Sequence, residues 1–337
     1  MLSALRVPAR PGRSVVPFDS AQGRQISAPR PDSDAMGRAG NDGSQRVLIP
    51  SDENTVRLPH SAPELQSSSG ERPLAVVTGA SSGIGATYAQ RLAQEGYDLL
   101  LIARRADRLQ QLCSEIAAGG GQARALAADL TRDDDVARVE EELGAAKNLE
   151  FLVNNAGFGT YELFHEANPS GQAQMHQLHV VATVRLTRAA LPRMVARNRG
   201  YIVNVSSVSG FMQGPYSVSY CATKTWMNSF TEGLHLEMRR LGTAVRVQAL
   251  CPGFTVTEFH QTMNMDRSFA GRSWWMTAES VVEESLAGAR KGRLYVIPGL
   301  RYKLIVALLR LLPLPMLHAL VGRAPNVRRG ESRRQVQ

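Results

Sequence analysis

An apolar run, Pro73-Leu-Ala-Val-Val77, passes directly into Thr78-Gly-Ala-Ser-Ser-Gly-Ile-Gly85 and then into a helical pattern from about Ile84 to Glu95. The feature constrains the fold because it is the first of a series. Asp98–Ile102 reads as a second strand and Leu109–Ala118 as a second helix. Later strands are expected at Ala125–Ala128, Phe151–Val153, Tyr201–Val205, Val245–Leu250 and Leu294–Ile297. Continuous apolar strands separated by helices indicate a parallel sheet covered on both faces. Residues 73–298 are therefore expected to form one doubly wound α/β domain, with ligands at the carboxyl ends of its strands.

The rest of the chain is of a different kind. Residues 1–72 are rich in Pro, Ser, Gly and Arg, without apolar periodicity, and read as a disordered extension. Its first thirty residues bear arginines and few acids, like an organellar transit peptide. Pro8, Pro11 and Pro17 interrupt the helix such a peptide forms, so an extension without a role is an equal reading. Residues 299–337 begin with an apolar segment broken by Lys303, Arg310, Pro313 and Pro315. A membrane span needs about 20 predominantly apolar residues, so two short helices with basic flanks fit better.

The formal charge of +9 belongs to that tail: residues 290–337 carry +10, residues 73–289 carry −2, and residues 1–72 carry +1. No basic stripe with interleaved aromatics crosses the body, so no nucleic-acid partner is expected. Cys113, Cys221 and Cys251 are widely spaced and offer neither a disulfide framework nor a metal site. A reducing, cytoplasmic setting follows. The tail adds two options: peripheral membrane attachment, or helices that cap the domain or bury a dimer contact.

Gly79, Gly83 and Gly85 stand where strand turns to helix, a place where backbone approaches a pyrophosphate and the helix N-terminus favours its charge. Alone, such a turn is also just a tight connection. The second strand ends in Ala103-Arg104-Arg105, with no acid to receive a ribose diol. That favours NADP(H), with Arg104 bonding a 2′-phosphate, and leaves NAD(H) as the alternative. Arg104 is otherwise an exposed arginine at a helix start.

Tyr220-Cys-Ala-Thr-Lys224 sets a phenol and an ammonium on one helix face, thirteen residues after Ser207. The motifs Thr78–Gly85, Asp129-Leu130, Asn154-Asn-Ala-Gly157, Ser206–Gly210, Tyr220–Lys224 and Pro252–Thr257 arrive in an order that resembles the short-chain dehydrogenase/reductase family, in its single-domain branch. The resemblance covers residues 73–298. It implies a Rossmann-type domain that interconverts a ketone and a secondary alcohol. It implies Tyr220 as general acid/base, Lys224 as its electrostatic partner and holder of the nicotinamide ribose, and Ser207 as the group that polarises the carbonyl. A cation nearby is expected to lower the phenol's pKa. Ser206 is expected to be structural.

For the cofactor, the resemblance implies the loop Gly79, Ser81, Ser82, Gly83, Ile84 and Gly85. It also implies Asp129 and Leu130 at the adenine, and Asn155, Ala156 and Gly157 beside the adenosine. Pro252, Gly253, Thr255 and Thr257 are implied at the nicotinamide. Asn154 braces the central strand or binds. His179 stands where the family usually has the asparagine of a proton relay, and is either a modified relay residue or a packed core histidine. Phe254, Phe259, Met263, Met265, Phe269, Trp274, Trp275 and Met276 suggest an apolar lid over a lipophilic substrate, the alternative being side chains that pack on the sheet or a partner subunit. A homodimer or homotetramer is expected by resemblance only. The competing reading is a non-catalytic NADP-binding regulatory protein, or a membrane-surface scaffold, on the same fold.

Overall fold

A computed structural model describes residues 71–259 and 271–322. The expectations for residues 1–70, for Met263, Met265 and Phe269, and for the arginines beyond residue 322 lie outside the described residues.

Seven parallel strands form one sheet: β1 (Leu74–Thr78), β2 (Asp98–Ala103), β3 (Gln122–Ala127), β4 (Leu149–Asn154), β5 (Tyr201–Val205), β6 (Arg246–Leu250) and β7 (Tyr295–Val296). Among the described residues the α-helices are α1 (Gly83–Gln94), α2 (Ala106–Ala118), α3 (Asp133–Ala145), α4 (Pro169–His176), α5 (Thr183–Ala196), α6 (Val218–Arg240), α7 (Ala278–Arg290), α8 (Leu300–Leu311) and α9 (Leu314–Gly322). The strand order is β3-β2-β1-β4-β5-β6-β7. The order reverses between β1 and β4, and a crevice opens at their carboxyl ends.

Alternation along the strands builds two cores. Ala75 and Val77 face α1, α2 and α7 through Tyr88, Leu92, Leu109, Ile116, Val281 and Leu286. Val76, Leu100 and Ile102 face α3, α5 and α6 through Val136, Leu143, Leu186, Met194, Leu234 and Met238. Each buried leucine contributes roughly 2 kcal/mol of transfer free energy. β3 and β7 are the edge strands, and every residue of β3 is exposed or half-buried.

Helix α6 explains how packing and chemistry share one element. Tyr220, Lys224, Met227, Thr231, Leu234 and Met238 follow helical spacing and are all buried. The stripe that anchors α6 on the sheet therefore also carries the phenol and the ammonium.

Polar side chains tie the central strands together beneath the crevice. Asn154 Nδ2 donates to Asn204 Oδ1 at 2.9 Å, and Asn204 Nδ2 donates to Thr231 Oγ1 at 2.9 Å. Thr78 Oγ1 accepts from the amides of Asn155 and Ala156 at 2.9 and 3.0 Å. Such buried groups must be paired, and once paired they fix the strand ends in one arrangement.

Candidate active site

A cavity of about 600 Å³ lies at the carboxyl end of the sheet, within the ordinary range for small-molecule sites. The loop after β1 supplies Gly79, Ser81, Ser82, Gly83 and Ile84, and the end of β2 supplies Arg104 and Arg105. Asp129 and Leu130 follow β3, and Asn155, Ala156 and Gly157 follow β4. Ser207 follows β5, and Pro252, Gly253, Thr255 and Thr257 follow β6. Tyr220 and Lys224 close the wall from α6. Asn154 is buried below the floor, where its Nδ2 donates to Asn204 of β5 and to Thr187 of α5.

Of the expected cofactor-binding and catalytic residues, Gly85 and His179 are not on the wall. Of the expected lid, Phe254 and Phe259 line the cavity, whereas Trp274, Trp275 and Met276 do not. Gly85 packs beneath the loop, where a Cβ would overlap the Gly79 carbonyl and lie 2.5 Å from Asn155 Nδ2. Its small size serves the turn's closure rather than a ligand's approach. His179 is fully buried in a short π-helix, Gln177–Ala182, between α4 and α5.

Tyr220, Lys224 and Ser207 converge. Ser207 Oγ accepts from the Ser209 amide at 3.1 Å and shares a hydrogen bond with the Tyr220 phenol. Lys224 Nζ donates to the Val205 carbonyl at 2.7 Å and stands 5.8 Å from the Tyr220 ring centre. Ser206 Oγ instead donates to the Lys224 carbonyl at 3.1 Å, a bond that fixes α6 against β5.

The expectation that the ammonium would acidify the phenol is not met in this geometry. Burial dominates: it pushes Tyr220 up to about 12, against the Ser207 hydrogen bond, and Lys224 down to about 8. Near neutrality Tyr220 thus holds its proton, and Lys224 is largely cationic. A phenol in that state is a donor to an oxygen that gains negative charge.

The cavity fits a dinucleotide. The α1 N-terminus borders it, and Ser82 makes no side-chain capping bond there, so the first amides are available to a phosphate. Asp129 Oδ1 is held by the Thr131 amide and hydroxyl at 3.1 and 2.8 Å.

Arg105 is a site residue that the sequence reading passed over in favour of its neighbour. Its guanidinium donates to Ser81 Oγ and Ser82 Oγ at 3.0 Å each and to Glu258 at 2.8 Å. The dipeptide Arg104-Arg105 was visible, but the choice between the two depends on where each side chain points. The mouth is apolar, with Phe158, Tyr161, Met212, Phe254 and Phe259. Tyr216 beside it takes a left-handed φ of 66° and stacks on Tyr161 at 5.2 Å. A bulky residue in that conformation is strained, as is common at ligand sites.

Helix α8 backs this wall. Tyr302 of α8 accepts from the Phe254 amide at 3.0 Å and donates to the Trp274 carbonyl at 2.7 Å. Its ring occupies the space that a Cβ on Gly253 would take.

A doubly wound sheet with a glycine turn at its switch point, and Ser207, Tyr220 and Lys224 on the opposite lip, defines a nicotinamide-dependent oxidoreductase. The chain matches the short chain dehydrogenase model over residues 73–268 and belongs to that family, whose members are oxidoreductases acting on CH–OH groups. Human very-long-chain 3-oxoacyl-CoA reductase is 35% identical over 189 residues, covering 55% of this chain and 60% of that protein. Rat 17-beta-hydroxysteroid dehydrogenase type 3 is 34% identical over 217 residues, covering 63% of this chain and 67% of that protein. Among solved structures, a short-chain dehydrogenase from Sphingobium yanoikuyae in complex with NADPH aligns with a TM-score of 0.66 and 33% identity. That alignment covers 77% of this chain and 99% of the other.

Proposed function

We propose that the protein is an NADP(H)-dependent reductase of ketones carried on lipophilic molecules. The observation that carries this reading is the meeting of Ser207, Tyr220 and Lys224 on a cavity with an apolar mouth and two arginines at its cofactor end. Ser207 holds and polarises the carbonyl oxygen, and Tyr220 gives that oxygen its proton. Lys224 keeps a positive charge beside the phenolate as it forms. Bound NADPH supplies the hydride. Arg104 and Arg105 fit a 2′-phosphate, because an arginine fork meets a phosphate with charge-assisted hydrogen bonds, and β2 ends without an acid. The Sphingobium neighbour's complex with NADPH supports the cofactor, and the acyl-CoA and steroid relatives support the substrate class.

The test is NADPH oxidation against 3-oxoacyl thioesters, steroid ketones and sugar ketones. Turnover should follow apolar bulk, and NADH should serve less well; equal turnover of small sugars would sink the substrate reading. Tyr220→Phe should cut kcat by about 10²- to 10⁴-fold, the usual weight of a general acid, with NADPH binding retained. A parent chain that binds NADPH but turns over no member of the panel would favour the regulatory reading.

Attachment to an anionic bilayer surface belongs to the same proposal. No helix among the described residues is long and apolar enough to cross a membrane. Yet Leu300, Leu304, Leu308 and Leu311 form an outward stripe on α8, continued by Leu314 and Met316, all between 56 and 80% exposed. Patches of this kind mark interaction surfaces. The +10 charge of residues 290–337 favours anionic lipid as the occupant.

A further inference from the structure

His179 lies at the crossing of three elements that shape the site. Its Nε2 is 3.2 Å from the backbone amide of Phe158, on the loop after β4. An amide N–H only donates, so Nε2 accepts and carries no proton. The one ring proton of a neutral imidazole is then on Nδ1, which is 2.9 Å from Thr223 Oγ1. Thr223 in turn donates its hydroxyl to the Tyr220 carbonyl oxygen at 2.9 Å. Its oxygen lone pairs thus remain to receive the imidazole proton. Every donor in the chain has one acceptor.

The ring does more than close this chain. It meets the Tyr220 ring edge-on, with centroids 6.0 Å apart. It also fills the space beside Gly157, where a Cβ would lie 2.8 Å from Nε2. A proton shuttle needs a nitrogen free to exchange partners and a ring that takes up charge. Both nitrogens of His179 are engaged. Burial, together with Lys224 on α6 and His176 on α4, holds the imidazole well below its usual range; Tyr220 is the other titratable group against it.

We propose that the His179 side chain is a neutral positioning strut, held as the Nδ1–H tautomer, that ties the Phe158 loop to the turn of α6 bearing Tyr220 and moves no proton during turnover. The inference rests on Tyr220 being the proton donor. An asparagine at this position also has one donor and one acceptor, so it can restore part of the arrangement. Phenylalanine keeps the ring volume and neither bond.

Nitrogen-15 NMR of histidine side chains in the full chain tests the tautomer, with the signal assigned by its loss in His179→Asn. One neutral form protonated on Nδ1, unchanged between about pH 5 and pH 8, is expected, although an ordinary imidazole titrates there. A signal protonated on Nε2, or titrating in that window, overturns the proposal. In kinetics, His179→Phe should lower kcat roughly 10- to 100-fold, as misplacement of a reacting group does. The shape of the pH profile should not change, and His179→Asn should recover part of the rate. Loss of a limb of that profile would make the histidine a shuttle. Should His179→Phe fail to fold, Thr223→Val takes its place, and an unchanged kcat there overturns the strut. The NMR result needs no substrate, so its failure is distinguishable from failure of the ketone-reductase reading.

Discussion

Lys224 gives up its solvent shell between β5 and α6, and its pKa falls from 10.5 to about 8 as a result. Tyr220, at about 12, keeps its proton through the same range. A depressed amine is cationic below about 8 and neutral above it, so the charge that stabilises a forming phenolate disappears as pH rises. Carbonyl reduction should therefore decline above that pH, and Lys224→Arg, which stays charged, should move the decline upward. An unmoved limb in a pH-rate series on the arginine variant would assign it to another group. These two residues and Ser207 were legible because spacing on a helix, and a motif beside a strand end, are local properties. The directions of their pKa shifts were not, because desolvation depends on what α6 packs against. The Arg105–Glu258 pair, at 2.8 Å, joins the end of β2 to the segment after β6, and no local pattern announces it.

The strands were readable as elements because each is an apolar run that flanking glycines or polar residues cut short. β3 was recognised only in its second half, as Ala125–Ala128 instead of Gln122–Ala127, because the exposed Gln122 and Arg124 break the apolar run at its start. The π-helix was not foreseen: residues 169–196 run through α4 and α5 with one helical rhythm, and a single wider turn does not disturb it enough to show. The glycines of the β1 loop were recognised, but for a reason that holds only in part. Gly79, at φ 64°, needs a left-handed backbone, whereas Gly85 is required by its neighbours. Gly85→Ala should cost about 1–3 kcal/mol through overpacking, read as a lower midpoint in urea unfolding. A variant as stable as the parent would return Gly85 to a purely ligand-facing role. Tyr302→Phe removes one hydroxyl with two partners and should cost about 1–2 kcal/mol, measurable in the same assay.

At the scale of the molecule, the strand order puts every reacting group at one end of the sheet, and α8 extends the wall there with its inner face. Tyr302, Val306 and Leu309 point inward on α8, while Leu300, Leu304 and Leu308 point away. The double substitution Leu304→Glu/Leu308→Glu should therefore abolish co-sedimentation with anionic vesicles and leave thermal stability and NADPH binding unchanged. Vesicle binding equal to the parent's would refute the lipid contact, and loss of a dimer in sedimentation velocity would reassign the stripe to a second copy of the chain. The amphipathic segment was visible in the sequence, but not which side of it the domain takes. That division has a practical edge for anyone trimming the protein. Cutting ahead of Leu300 would strip a tyrosine plug from behind Gly253 as surely as it removes the greasy ridge, so a shortened version would arrive with its reaction chamber breached and its membrane behaviour uninterpretable.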